Sequence, residues 1–156
     1  QKEPETLKIY VDTDHARCAV TRKSTTGGVA RVGAHVVKHS SNLQSTVSLS
    51  SGESEFYGLV KGAQQGLGLQ SLLCDWGLTL SLEVLSDSSA ARGHVQRRGL
   101  GKMRHIQTRF LWLQERVSAL RRFCCCARCG QELPQIEMHC AECVITCTLE
   151  HTDNAD

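Results

Sequence analysis

This chain has few aromatic residues, little net charge of either sign and no long apolar run. Phe, Trp and Tyr make up 4% of its 156 residues, and 18 Lys and Arg against 16 Asp and Glu leave a formal net charge of +2. No apolar run approaches the roughly 18 residues of a membrane span, and the polar opening, without an initiator Met, is not a secretory signal. We expect an intracellular protein, neither secreted nor bound to a membrane, that is an excerpt of a longer polypeptide.

The length, the composition and the cysteine content of the chain limit its possible domain organisation. A hydrophobic content of 40% and a charged content of 22% suit one globular domain. We expect a polar lead-in over residues 1–6 and a single domain over 7–156. Of the nine Cys, Cys18 and Cys74 stand alone and seven crowd between Cys124 and Cys147. Without a secretory signal, reduced thiols or metal ligation are favoured over disulfides.

Hydrophobic periodicity predicts an α/β chain of order β-β-β-α-β-α-α-β. The strands are expected at 7–14, in a hairpin over 29–37 broken at Gly33, at 78–85 and at 143–150, with a short alternating piece at 46–49 and turns at 24–28 and 38–45. A capping box of Ser50 and Glu53 begins the first helix. A short helix follows at 88–96, and a longer one has its apolar face between Met103 and Val117.

Glycines recur every four residues in the first helix, at Gly58, Gly62 and Gly66. Each costs about 1 kcal/mol relative to Ala in a helix interior. Such a stripe allows close packing on a sheet, but a weak helix is the simpler interpretation.

Four acids occupy comparable places along the predicted elements. Asp12 and Asp87 each end a strand, Glu55 lies early in the first helix, and Asp156 follows the last strand. Converging carboxylates repel one another, and a fold tolerates them when a cation lies between them. Oxygen ligands suit Mg²⁺, and two such ions about 3.5–4 Å apart can activate water for phosphodiester cleavage. Spacing alone does not establish this, because scattered acids are usually surface residues.

Five motifs add a resemblance. They are D-T-D-H-A at 12–16 with R-K-S-T-T-G-G at 22–28, L-S-S-G-E-S-E-F-Y at 49–57, L-S-D-S-S-A-A at 85–91, K-M-R-H-I at 102–106 and H-T-D-N-A-D at 151–156. In this order they resemble D-x-D-W-A…R-K-S-T-S-G, L-S-S-x-E-A-E-Y, C-D-N-x-S-A, T-K-H-I and N-P-A-D, the signatures of the ribonuclease H domain in Ty1/copia-type retrotransposon polyproteins.

The resemblance implies a ribonuclease H-like fold with a mixed five-stranded sheet flanked by helices. It also implies hydrolysis of the RNA strand of RNA–DNA hybrids, with Mg²⁺ or alternatively Mn²⁺, beside an upstream reverse transcriptase domain. By position it assigns catalysis and metal binding to Asp12, Glu55, Asp87 and Asp156. Glu55 rather than Glu53 takes the helix position, because Phe-Tyr-Gly-Leu follows it as Tyr-x-Ala-Leu does in the family.

The chain departs from the family pattern in ways that keep an alternative open. His15 stands where the family has Trp, Gln107 replaces an acid, and the chain stops at Asp156, so that the C-terminal helix is truncated. A catalytically inactive, retrotransposon-derived nucleic-acid-binding relic is therefore the competing hypothesis.

A basic stretch between residues 92 and 109 contains no Asp or Glu. Such a stripe is commonly a solvated helix face, but it can also meet phosphates. We expect it to hold the hybrid backbone, without reading sequence. The residues assigned to this role are Arg97, Arg98, Lys102, Arg104 and His105.

The cysteine-rich segment at about 121–142 is an insertion relative to the family. Cys126-x₂-Cys129 and Cys140-x₂-Cys143 have the spacing of a tetrahedral Zn²⁺ site. A small zinc-binding module is one hypothesis; a drifted connector with incidental cysteines is the other. We prefer the connector without zinc, because the extra thiols nearby offer competing ligand sets.

Overall fold

A four-stranded mixed sheet forms the centre of the computed structural model, which describes residues 5–101, 106 and 108–123. The strands are β1 (Thr6–Asp14), β2 (Thr25–Val32), β3 (His35–Leu43) and β4 (Ser81–Leu85), in the spatial order β3-β2-β1-β4. β1 pairs antiparallel with β2 and parallel with β4, and β2 pairs antiparallel with β3. Because β1 and β4 are parallel, their carboxyl ends meet at the same edge of the sheet.

In the part of the chain that the structure describes, three helices accompany the sheet, namely α1 (Ser51–Asp75), α2 (Ser89–Gln96) and α3 (Trp112–Phe123), with a 3-10 turn at Thr108–Phe110. α1 packs on β1 and β4, α2 packs on α1, and α3 packs on α2. The core lies between α1 and the sheet and includes Leu7, Ile9, Leu82, Phe56 and Leu59, all nearly inaccessible to solvent. Among the described helices, none is long and apolar enough to cross a bilayer.

The predicted α/β class, a mixed sheet flanked by helices, is confirmed. Four strands lie in the described ranges, and the fifth expected strand at 143–150 lies outside them, as does the cysteine-rich segment. β1 begins one residue earlier than expected, and β4 begins at Ser81 rather than at residue 78.

The two predicted turns at 24–28 and 38–45 are largely wrong. β2 already begins at Thr25, and β3 continues to Leu43. Gly27 and Gly28 resemble turn residues, but β1 lies alongside and pairs them with Asp12 and Val11. Nearly all residues of β3 are exposed, so its sequence beyond residue 37 lacks the apolar–polar alternation that indicates a strand.

Two further boundaries differ from expectation. Residues 46–49 form no strand; they lead directly into the N-cap of α1 at Ser50. The last predicted helix begins only at Trp112, after the separate 3-10 turn.

The glycine stripe brings α1 close to the sheet. A Cβ atom at Gly66 would lie 2.6 Å from Leu82 Cδ1, and one at Gly62 would overlap with Val11 Cγ2. Close packing, rather than helix weakness alone, therefore accounts for the four-residue spacing. Gly68, two residues beyond the stripe, has no atom within 4 Å of such a Cβ.

This geometry predicts opposite effects for two Gly→Ala substitutions in one helix. Gly62→Ala should lower the free energy of unfolding by about 1–2 kcal/mol, because overpacking against the stiff Val11 side chain exceeds the gain in helix propensity. Gly68→Ala should raise it by up to about 1 kcal/mol, because it gains propensity without a clash. Urea denaturation of the three proteins measures both changes. Equal and stabilising effects at the two sites would contradict the close approach of α1.

Candidate metal centre

Three acidic side chains from three different elements meet at one edge of the sheet. Asp12 lies near the carboxyl end of β1, Asp87 lies two residues past β4, and Glu55 lies in the first turns of α1. One carboxylate oxygen from each lies within 4.8 Å of the other two. The parallel pairing of β1 and β4 places the two aspartates together, and the packing of α1 on both strands brings Glu55 to them.

The neighbouring Glu53 has a different environment. Its carboxylate accepts hydrogen bonds from the Leu49 backbone N–H (2.7 Å) and from the Tyr57 hydroxyl (2.8 Å). Ser50 Oγ accepts from the Glu53 backbone N–H (3.2 Å), as the capping box predicts. Glu53 therefore stabilises the start of α1, and Glu55 is the glutamate that the structure places with Asp12 and Asp87.

The surroundings of Glu55 disfavour its charge. Only 8% of the residue is exposed, and Oε2 is buried without a hydrogen-bond partner among the described residues. Burial, followed by the negative charges of Asp12 and Asp87, raises the pKa of the Glu55 carboxyl from 4.5 to about 7. The ion pairs found in the described ranges, Arg17–Asp14 (2.8 Å) and Lys8–Glu83 (3.5 Å), lie outside the cluster.

This donor set fits a hard divalent cation. Three carboxylates offer only oxygen atoms, the ligands that Mg²⁺ and Ca²⁺ prefer. A cation between them would compensate the mutual repulsion. It would also be a partner for Glu55 Oε2, which has no hydrogen-bond partner among the described residues. We name the cluster of Asp12, Glu55 and Asp87 the acid cluster.

A cavity of about 490 Å³ opens beside the acid cluster. Asp12 and Asp87 form part of its wall, and Gly27 and Gly28 of β2 line it with backbone atoms alone. The remaining wall includes Tyr10, His39 and Ser40. Two of the three acids thus face a concave surface that a substrate can reach.

The other predicted site residues are only partly described. Arg97 and Arg98 are exposed directly after α2, and Arg97 Nε donates to the Gly93 carbonyl oxygen (3.0 Å). α2 begins two residues after Asp87 and spans eight residues, about 12 Å at a rise of 1.5 Å per residue, so these arginines follow the end of the helix that is farther from Asp87. The remaining predicted residues lie outside the described ranges: Lys102, Arg104, His105, Asp156, Cys126, Cys129, Cys140 and Cys143.

One residue beside the site was missed by the sequence interpretation. Gln44 lies in a polar stretch expected to be a turn, yet it is only 9% exposed and donates two side-chain hydrogen bonds. Its sequence context of Ser, Asn and Thr gives no signal of burial.

Comparison with known proteins supports the motif resemblance. The chain is 27% identical over 113 residues to the retrovirus-related Pol polyprotein from transposon TNT 1-94 of Nicotiana tabacum. The match covers 71% of this chain and only 8% of that polyprotein. It confirms the similarity to retrotransposon polyproteins. No protein-family model matches the chain.

Two solved structures are similar to the chain. One is LC11-RNase H1, isolated from compost by a metagenomic approach, with a TM-score of 0.48 and 14% identity over 76% of each chain. The other is the N-terminal RNase H domain of Rv2228c from Mycobacterium tuberculosis, with a TM-score of 0.41, 17% identity and coverage of 75% of this chain and 76% of that chain.

The raised pKa of Glu55 predicts a pH dependence of stability in metal-free protein. Between about pH 4.5 and 7 the folded state binds more protons than the unfolded state, so the Glu55 contribution to stability falls as pH rises. The measured quantity is the unfolding free energy of the wild type minus that of Glu55→Gln. This difference should fall by about 1–2 kcal/mol as the pH rises across this window, allowing for solvent screening at the exposed aspartates.

Denaturation in EDTA at pH 4.5, 6 and 7.5 measures this difference. Glu115→Gln, which removes an exposed carboxylate on α3, is the control and should show no comparable trend. A wild-type to Glu55→Gln difference that does not change with pH would contradict the crowding of the three acids.

Proposed function

We propose that this chain is a retrotransposon ribonuclease H domain that hydrolyses the RNA strand of RNA–DNA hybrids with Mg²⁺ at the acid cluster. The observation that carries the proposal is the convergence of Asp12, Glu55 and Asp87 within 4.8 Å from three separate elements. The polyprotein match supports the context, because the chain corresponds to a small part of a much longer polypeptide. In that context an upstream reverse transcriptase domain is the proposed partner, and the proposed location is intracellular.

The chemistry that divalent cations supply in such a site is stabilisation of charge on the phosphodiester and activation of a water nucleophile. Asp12 and Asp87 would act as ligands held on strand ends, which are rigid supports. Glu55 must lose its proton to become a ligand, so cation binding should release protons below about pH 7. Asp156 remains the proposed fourth carboxylate.

The basic residues provide the second element of the proposal. Arg97 and Arg98 are exposed on the segment that follows α2, the helix that starts beside Asp87. We assign them to the phosphate backbone of the hybrid, together with Lys102, Arg104 and His105. Contacts of this type position a duplex and carry no sequence information.

The direct test is cleavage of a labelled RNA–DNA hybrid in Mg²⁺, measured as initial rate. Asp87→Asn should lower the rate by about 100-fold or more, because it removes one anionic ligand. Asp14→Asn is the matched control, since Asp14 lies on the same strand as Asp12 but pairs with Arg17 outside the acid cluster; its rate should change less than threefold.

Two outcomes would contradict the proposal. Cleavage that survives Asp87→Asn, or that persists in EDTA, would exclude the acid cluster as the active site. Salt-dependent binding of the hybrid without turnover, also in a chain extended past residue 156, would instead establish the inactive relic.

The basic residues generate a separate prediction for binding. The double variant Arg97→Gln, Arg98→Gln should weaken hybrid binding. It should also reduce the slope of the logarithm of the association constant against the logarithm of the salt concentration by up to about 2, since each phosphate contact contributes about 0.9 to that slope. The double variant Lys38→Gln, Lys61→Gln makes the same charge change on β3 and α1 and should leave the slope unchanged. Equal slopes for the two double variants would exclude specific phosphate contacts by Arg97 and Arg98.

A further inference from the structure

The buried side chain of Gln44 joins the end of the β-hairpin to the start of α1. Its Nε2 donates to Thr26 Oγ1 (2.9 Å) and to the Ser54 carbonyl oxygen (2.9 Å). Its backbone N–H donates to the Ser24 carbonyl oxygen (2.8 Å), which fixes the residue against β2. Because a carbonyl oxygen can only accept, the bond to Ser54 determines which way the amide is oriented.

One partner of this amide is adjacent to a member of the acid cluster, and the other is one cross-strand pair away from the residue that follows another member. Thr26 is paired across the sheet with Thr13, the residue after Asp12. Ser54 is the residue before Glu55. A single amide group therefore links the strand pair that carries Asp12 to the helical turn that carries Glu55.

The packing at this point is tight. A Cβ atom at Gly58 would lie 2.5 Å from Thr13 Oγ1 and 3.6 Å from Thr26 Cγ2, so the first turns of α1 rest almost directly on the two threonines. Repulsion among the three carboxylates acts in the opposite direction and favours separation of α1 from β1. Gln44 bridges the elements at this contact, where its hydrogen bonds oppose that separation.

We propose that Gln44 is a positioning residue, which holds Glu55 against Asp12 and thereby sets the affinity of the acid cluster for a divalent cation without contacting it. The inference rests on the proposed function in that it takes the acid cluster to be a cation site. It goes beyond that function because Gln44 belongs to none of the motifs that assign the acids.

The test compares two buried glutamines of similar environment. Gln44→Met preserves shape and removes the donors. Gln70→Met is the control, since Gln70 is 6% exposed and its Nε2 donates to the Leu80 carbonyl oxygen (2.7 Å), toward the other end of α1. Mn²⁺ affinity, measured by electron paramagnetic resonance, should fall about 10-fold in Gln44→Met, a size typical of lost outer-shell partners. In Gln70→Met it should stay within twofold, although both variants lower the melting temperature.

A second readout separates positioning from loss of fold. In hybrid cleavage, raising the Mg²⁺ concentration should restore the rate of Gln44→Met toward the wild-type value, whereas the rate of Asp87→Asn should not recover.

Two results would overturn the assignment of Gln44 as a positioning residue. One is that Gln44→Met binds Mn²⁺ as tightly as the wild type does, and the other is that Gln70→Met loses as much Mn²⁺ affinity as Gln44→Met. Wild-type protein that binds Mn²⁺ but cleaves no hybrid would refute the proposed function, while the affinity comparison would still decide the role of Gln44. Wild-type protein that binds no Mn²⁺ would overturn both.

Discussion

Electrostatic repulsion within the acid cluster is the constraint on which the rest of the fold depends. Three carboxylates within 4.8 Å, one of them 8% exposed, form only if separate elements are held together against their charge. The parallel pairing of β1 with β4 brings together Asp12, near the carboxyl end of β1, and Asp87, two residues past β4. The third arrives on α1, whose glycine stripe lets the helix approach the sheet closely. Burial of Glu55, followed by the charges of Asp12 and Asp87, raises the pKa of its carboxyl, and this shift is the measurable consequence of the arrangement.

Buried glutamine side chains connect the elements in this chain, which has few aromatic residues. Gln44 links β2 to α1, and Gln70 links α1 to the start of β4. Gln114 on α3 donates to the His94 (2.7 Å) and Gly99 (3.2 Å) carbonyl oxygens, which attaches α3 to the end of α2. Each such bond contributes only about 1 kcal/mol net, but a buried partner left unsatisfied costs about 1–3 kcal/mol, so these contacts specify the geometry more than they stabilise it.

Patterns in the sequence predict β1, the hairpin break at Gly33, the cap at Ser50 and the α/β class, because each depends on local alternation or capping chemistry. The motif resemblance also selects Glu55 over Glu53, and the structure places Glu55 with the two aspartates. The extent of β2 and β3 could not be predicted, since Gly27 and Gly28 form ladder pairs only because β1 lies beside them. The burial of Gln44 depends on long-range packing in the same way, and the contacts of the glycine stripe depend on which side chains face it.

Crystallography with Mn²⁺ tests most directly whether Asp12, Glu55 and Asp87 form one divalent-cation site. Anomalous scattering locates the ion independently of any assumption about activity. We expect an anomalous peak for an ion that has carboxylate oxygens of all three residues in its coordination shell. An ion bound elsewhere with the acid cluster empty, or a Glu55 side chain turned away from the two aspartates, would contradict it.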